Sequence, residues 1–108
     1  MTNRPEYDDV GDDIEIHSTK RRTSAPGTWV RGTVSGYRFD ALVFPEHAEV
    51  PEYELGDSRI SKLWIKRMSD KQVVCNFDRG WDILPTDATV QAIVDFLAAG
   101  LAEHTFGE

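Results

Sequence analysis

The sequence predicts an α+β fold: a four-stranded antiparallel sheet built from two hairpins in meander order, with one C-terminal helix packed on one face. Three observations predict it. Two β-favouring runs meet at Ser35-Gly36, a second pair of such runs spans residues 59–78, and an apolar stripe at helical spacing follows Pro85. Residues 28–108 are expected to form a single domain, with residues 1–27 a flexible N-terminal arm.

The arm is polar and acid-rich, contains Pro5 and Pro26, and sustains no apolar periodicity. Ile14 and Ile16 alternate, but two residues alone do not define a strand. Residues 28–35 and 37–44 are rich in Val, Thr, Tyr, Phe and Trp, as strands are. With Ser35-Gly36 as a two-residue turn, Val34 opposes Tyr37, Gly32 opposes Phe39 and Val30 opposes Ala41 on one face. The other face then sets Arg31 against Asp40 and Trp29 against Leu42. This register gives one apolar face, lays an aromatic ring over the bare glycine and pairs opposite charges.

A long connection follows, residues 45–57, carrying Pro45, Pro51 and the acids Glu46, Glu49, Glu52, Glu54 and Asp57. Connections of this length are often functional, so it is one place to look for a site. Residues 59–67 and 72–78 read as the second hairpin. If Leu63 and Ile65 share the core face with Val73, Cys75 and Phe77, then Leu63 opposes Cys75 and Ile65 opposes Val73. An odd-length loop or bulge around Met68-Ser69-Asp70 is then required. Residues 79–85 break the strand pattern and read as a connector. Beyond them Thr86 or Asp87 can cap a helix whose apolar stripe is Val90, Ile93, Val94, Leu97 and Leu101. Gly100 weakens its last turn, and the helix is expected to end between residues 99 and 103.

The 108 residues and their 40% hydrophobic content suffice for one modest core and no separate catalytic domain. No apolar run approaches the roughly eighteen residues of a membrane helix, and the first residues lack a signal-peptide stretch. The expected location is the cytoplasm, with no membrane partner. The net charge is −7. It comes mainly from the ends, because residues 28–85 carry eight basic and nine acidic groups. Such a balance suits generic phosphate-backbone binding poorly, although it leaves room for a local basic face. The lone cysteine, Cys75, lies in a strand-like run and reads as a small buried apolar residue. His17, His47 and His104 stand at no metal-ligand spacing, and neither a metal nor another cofactor is expected.

Two groups of residues could carry function. On the predicted register Trp29, Arg31, Lys62, Trp64 and Lys66 share the face away from the helix, and cations alternating with rings suit single-stranded nucleic acid. The plainer reading folds the acidic connection over that face. The segment Asp78-Arg79-Gly80-Trp81-Asp82 is the densest cluster of functional side chains, and Asp78 and Asp82 could flank a metal or act as acid and base. Its structural reading is a strand-to-helix connector in which Trp81 plugs the core and Arg79 pairs with an aspartate. No nucleophile elbow, phosphate-binding loop or dinucleotide fingerprint is present.

The stretches Trp29-Val30-Arg31-Gly32 with Gly36-Tyr37, Arg59-Ile60-Ser61-Lys62-Leu63-Trp64-Ile65 and Asp78-Arg79-Gly80-Trp81-Asp82 resemble a small family of uncharacterised bacterial and phage-borne domains. The resemblance covers roughly residues 28–101 and implies no activity. Function is therefore expected from the surface: a non-enzymatic module for an unknown protein partner, with a homodimer as one form of it. Nucleic acid or another anionic ligand on the basic-aromatic face is the second expectation. A small metal-dependent enzyme using Asp78 and Asp82 is the third.

Overall fold

A computed structural model describes residues 11–107 of the chain. They form a six-stranded antiparallel sheet in sequence order: β1 (Glu15–Arg21), β2 (Thr28–Val34), β3 (Tyr37–Val43), β4 (Ile60–Arg67), β5 (Val73–Asp78) and β6 (Trp81–Ile83). One helix, α1 (Ala88–Phe106), follows. The class and the meander order are as the sequence predicts, but the sheet has six strands and not four. One additional strand, β1, comes from the segment expected to be a flexible arm, and the other, β6, from the expected connector. Residues 1–10 of that expected arm lie outside the described residues.

The β2–β3 hairpin has the expected register throughout, from Val34 opposite Tyr37 to Trp29 opposite Leu42. Ser35 and Gly36 both take positive φ, 53° and 84°, the geometry that matches a two-residue turn to the twist of its strands. Gly32 is needed for a second reason. A Cβ there would collide with the backbone oxygen of Glu15 and stand 2.9 Å from the Phe39 ring. The missing side chain thus lets β1 approach β2 while Phe39 lies across the gap.

The β4–β5 hairpin corrects the expected register by two residues. Leu63 opposes Phe77 and Ile65 opposes Cys75, whereas Val73 opposes Lys66. The loop is even, closed by Arg67 N–H donating to the Gln72 carbonyl at 2.8 Å. On its own this loop would set Leu63 against Asn76. A bulge that adds Val74 between Val73 and Cys75 restores the apolar face, and Val74 itself is fully buried.

Asp87 caps α1, its carboxylate accepting from Val90 N–H at 2.9 Å, and Gly107 ends it in the left-handed region. The helix therefore runs past Gly100 to Phe106, beyond the expected end. Helix interiors tolerate one glycine at roughly 1 kcal/mol, and Leu101 and Ala102, both buried, hold the last turns to the core. The expected stripe, Val90, Ile93, Val94, Leu97 and Leu101, is buried against Val30, Phe39, Ala41, Leu63, Ile65, Cys75 and Phe77 of the sheet. Ile14 and Ile16 pack on the margin of this core. Among the described residues no helix is long and apolar enough to cross a membrane.

Candidate functional site

Strand alternation sends Val30, Phe39, Leu63 and Ile65 toward α1 and their neighbours the other way. Across the sheet, Lys20, Trp29, Leu42, Lys62 and Asp78 form one row. Ser18, Arg31, Asp40, Trp64 and Asn76 form the next, with Arg38 beside Lys66 beyond it. Trp29, Arg31, Lys62, Trp64 and Lys66 are thus brought together on the face opposite the helix. Arg31 Nε donates to Asp40 Oδ1 at 2.9 Å, Lys62 Nζ lies 3.5 Å from Asp78, and the Lys66 ammonium sits 5.6 Å over the Trp64 ring. Trp29 is 38% exposed. The face carries five cations, Lys20, Arg31, Arg38, Lys62 and Lys66, against Glu15, Asp40 and Asp78. A local positive excess therefore stands on a chain of charge −7.

The acidic connection engages the end of the sheet. A single 3-10 turn, Pro51–Tyr53, folds it back, and Leu55 N–H donates to the Ile60 carbonyl at 2.8 Å. Glu54 is the staple of the loop, its side chain 5% exposed. Its carboxylate accepts from Ala48 N–H at 2.7 Å, Arg59 N–H at 2.8 Å and His47 Nδ1 at 2.7 Å. Burial works to raise its pKa, but these donors outweigh burial and hold it below the ordinary glutamate value. Arg59 is buried as well; its Nη1 donates to the Pro45 carbonyl at 2.7 Å and its guanidinium stacks over Phe106 at the end of α1.

The Asp78-Arg79-Gly80-Trp81-Asp82 segment does not act as the expected connector. Arg79 and Gly80 form the tight turn of a β5–β6 hairpin, with φ of 55° and 149°. Trp81 is half-open on the sheet margin, its ring edge-on to Phe77 at 5.1 Å, and does not plug the core. Arg79 lies over the Tyr53 ring at 5.6 Å where an aspartate partner was expected. Asp78 faces Lys62, and Asp82 is exposed on β6. Among the described residues no three His, Cys, Asp or Glu side chains gather as a metal site would need. Cys75 is buried, which pushes its thiol up to about 12 and leaves it protonated at neutral pH.

Sequence reasoning missed the roles of Glu54 and Tyr53. Glu54 is one acid among five in its loop, and its donors are mainly backbone groups that no side-chain pattern reveals. Tyr53 and Arg79 are brought together only by the return of the loop to the β5 end.

The chain belongs to the family described as Domain of unknown function (DUF7678), whose model matches residues 28–102. The match takes in β2 to β6 and most of α1 and leaves β1 outside it. Comparison with curated proteins and with solved structures gives no match.

Proposed function

We propose that this chain is a non-enzymatic binding module that docks an acidic protein partner on the open face of its sheet. The observation that supports it is the convergence of Trp29, Arg31, Lys62, Trp64 and Lys66 on the face that α1 leaves uncovered. Trp and Arg dominate the energetics of protein interfaces, because they combine large apolar area with a directed polar group. The ion pairs and the cation over Trp64 hold Arg31, Lys62, Trp64 and Lys66 in place before any partner arrives, which lowers the ordering cost of docking. The positive excess of the face on an acidic chain favours a negatively charged surface and steers its approach.

The test is site-specific crosslinking from a photoreactive residue at Trp29, with the same residue at Phe96 on the exposed side of α1 as control. A single partner captured from position 29 is expected, and the double variant Trp64→Ala, Lys66→Glu is expected to lose it. Equal capture from both positions, or a double variant that binds as well as the parent, would remove the reading. A copy of the chain itself captured at position 29 would assign the face to a homodimer.

The alternation of Trp64 with Lys62 and Lys66 favours a second reading, single-stranded nucleic acid stacked on the ring. Its signature is binding of short labelled oligonucleotides that weakens steeply with added salt. No binding at low salt excludes it.

A further inference from the structure

The end of the sheet holds a cavity of about 530 Å³ to which none of the five face residues contributes, within the range of roughly 300–1,000 Å³ usual for small-molecule sites. Pro26, Phe44, Pro45 and Tyr53 give it apolar walls. Glu54 and Arg59 stand at its back, each more than nine-tenths buried and each already engaged by the loop.

Arg79 is different. It stacks on Tyr53, and among the described residues no carboxylate stands within 4.0 Å of its guanidinium. Its backbone is in the left-handed region at φ 55°, as is that of Arg59 at 64°. Phe77 pairs with Trp81, so the loop between them is three residues long, and a left-handed position in such a turn is usually taken by Gly, Asn or Asp. Arginine there costs conformational strain, and its side chain returns only the contact with Tyr53. Strain of this kind gathers where a ligand is held, and of the four non-glycine residues with positive φ among the described residues, two line this one cavity. His47 supplies a second polar group. Glu54 fixes its Nδ1, and its Nε2 has no partner among the described residues.

We propose that this cavity binds a small monocarboxylic acid with an aromatic or branched apolar body. The planar fork of Arg79 matches a carboxylate, and the body lies on Phe44, Tyr53 and the two prolines. Glu46 and Glu49 also line the cavity, both exposed, and their charges oppose a second negative charge on the ligand. That selects a monoanion over a phosphate or a dicarboxylate.

Amide chemical shifts of the full chain test this with phenylacetate, its neutral amide phenylacetamide, and phenyl phosphate. Phenylacetate is expected to give saturable shifts at Ala48, Tyr53 and Arg79, with the amide and the phosphate each at least tenfold weaker. Arg79→Asn keeps a residue that tolerates the turn and is expected to weaken phenylacetate at least tenfold. Arg31→Asn, on the open face, is expected to leave it unchanged, which separates this site from the proposed docking face. Should Arg79→Asn fail to fold, Tyr53→Leu removes the ring that positions the guanidinium and is expected to give the same loss. Absence of saturable shifts, an amide or phosphate that binds as tightly as the acid, or an affinity indifferent to both cavity variants would overturn the proposal.

Discussion

A carboxylate withdrawn from water keeps its charge only where donors replace the water, and Glu54 has three, from Ala48, His47 and Arg59. Because they hold its folded pKa below the unfolded value, the unfolded chain takes up a proton first as pH falls. The stabilisation from Glu54 is therefore complete above the unfolded pKa, about 4.3 for an ordinary glutamate, and is lost as pH drops through the lower folded value. Glu54→Gln keeps one acceptor oxygen and turns an NH₂ toward a donor, so at neutral pH it is expected to cost about 1–3 kcal/mol. Melts across a pH series should show the parent and the variant converging under acid. A gap in Tm that does not narrow as the pH falls would contradict this account. Composition alone gives no hint of the role, because Glu46, Glu49, Glu52 and Asp57 occupy the same loop with equal claim. What distinguishes Glu54 is that the chain folds back on itself at Pro51 and brings Ala48 and Arg59 to one carboxylate.

How far each element was legible follows from how local its determinants are. The β2–β3 register is legible because turn, charge pairing and apolar alternation all lie within residues 28–44 and agree. In the β4–β5 hairpin they conflict. The even loop and the apolar face are reconciled only by inserting Val74, whereas the sequence pattern calls for an odd-length loop or a bulge around Met68-Ser69-Asp70 and so misplaces it. Strand β6 is three residues long and exposed, so it has no alternation to read. Strand β1 is nearly all polar, and its signal lies in β2, where Gly32 leaves room for a neighbouring backbone. Gly32→Ala is accordingly expected to act on β1 more than on the hairpin that contains it. The new methyl would displace the Glu15 carbonyl and press on Phe39, at a cost of about 1–3 kcal/mol for overpacking. Hydrogen exchange should show β1 amides losing protection while those between β3 and β4 keep theirs. Uniform loss across the sheet would mean that Phe39, not the β1 backbone, absorbs the strain.

At the scale of the whole molecule, the family match at residues 28–102 and the sheet do not coincide, because β1 lies outside the match and inside the sheet. Among the described residues the fully buried side chains all fall between residues 30 and 97, whereas β1 and the turn before it add only Ile14 and Ile16, both partly buried. Fully burying one isoleucine contributes about 1.5–3 kcal/mol, so two half-buried ones contribute about as much together, and the β1–β2 hydrogen bonds add to it. A domain of this size is typically stable by about 5–15 kcal/mol, which leaves a positive remainder once β1 is gone. Removal of residues 1–27 is therefore expected to leave a cooperatively folded five-stranded sheet with α1 in place and a Tm lower by several degrees. It also turns β2 into an edge whose backbone groups are unpaired along Thr28–Val34, with Val30 and Val34 losing their neighbours on that side. Such an edge invites pairing with a second copy. Sedimentation should then show the shortened chain associating with rising concentration more strongly than the full chain does. If the shortened chain shows no thermal transition, β1 belongs to the minimal folding unit, and the family match understates the domain by one strand.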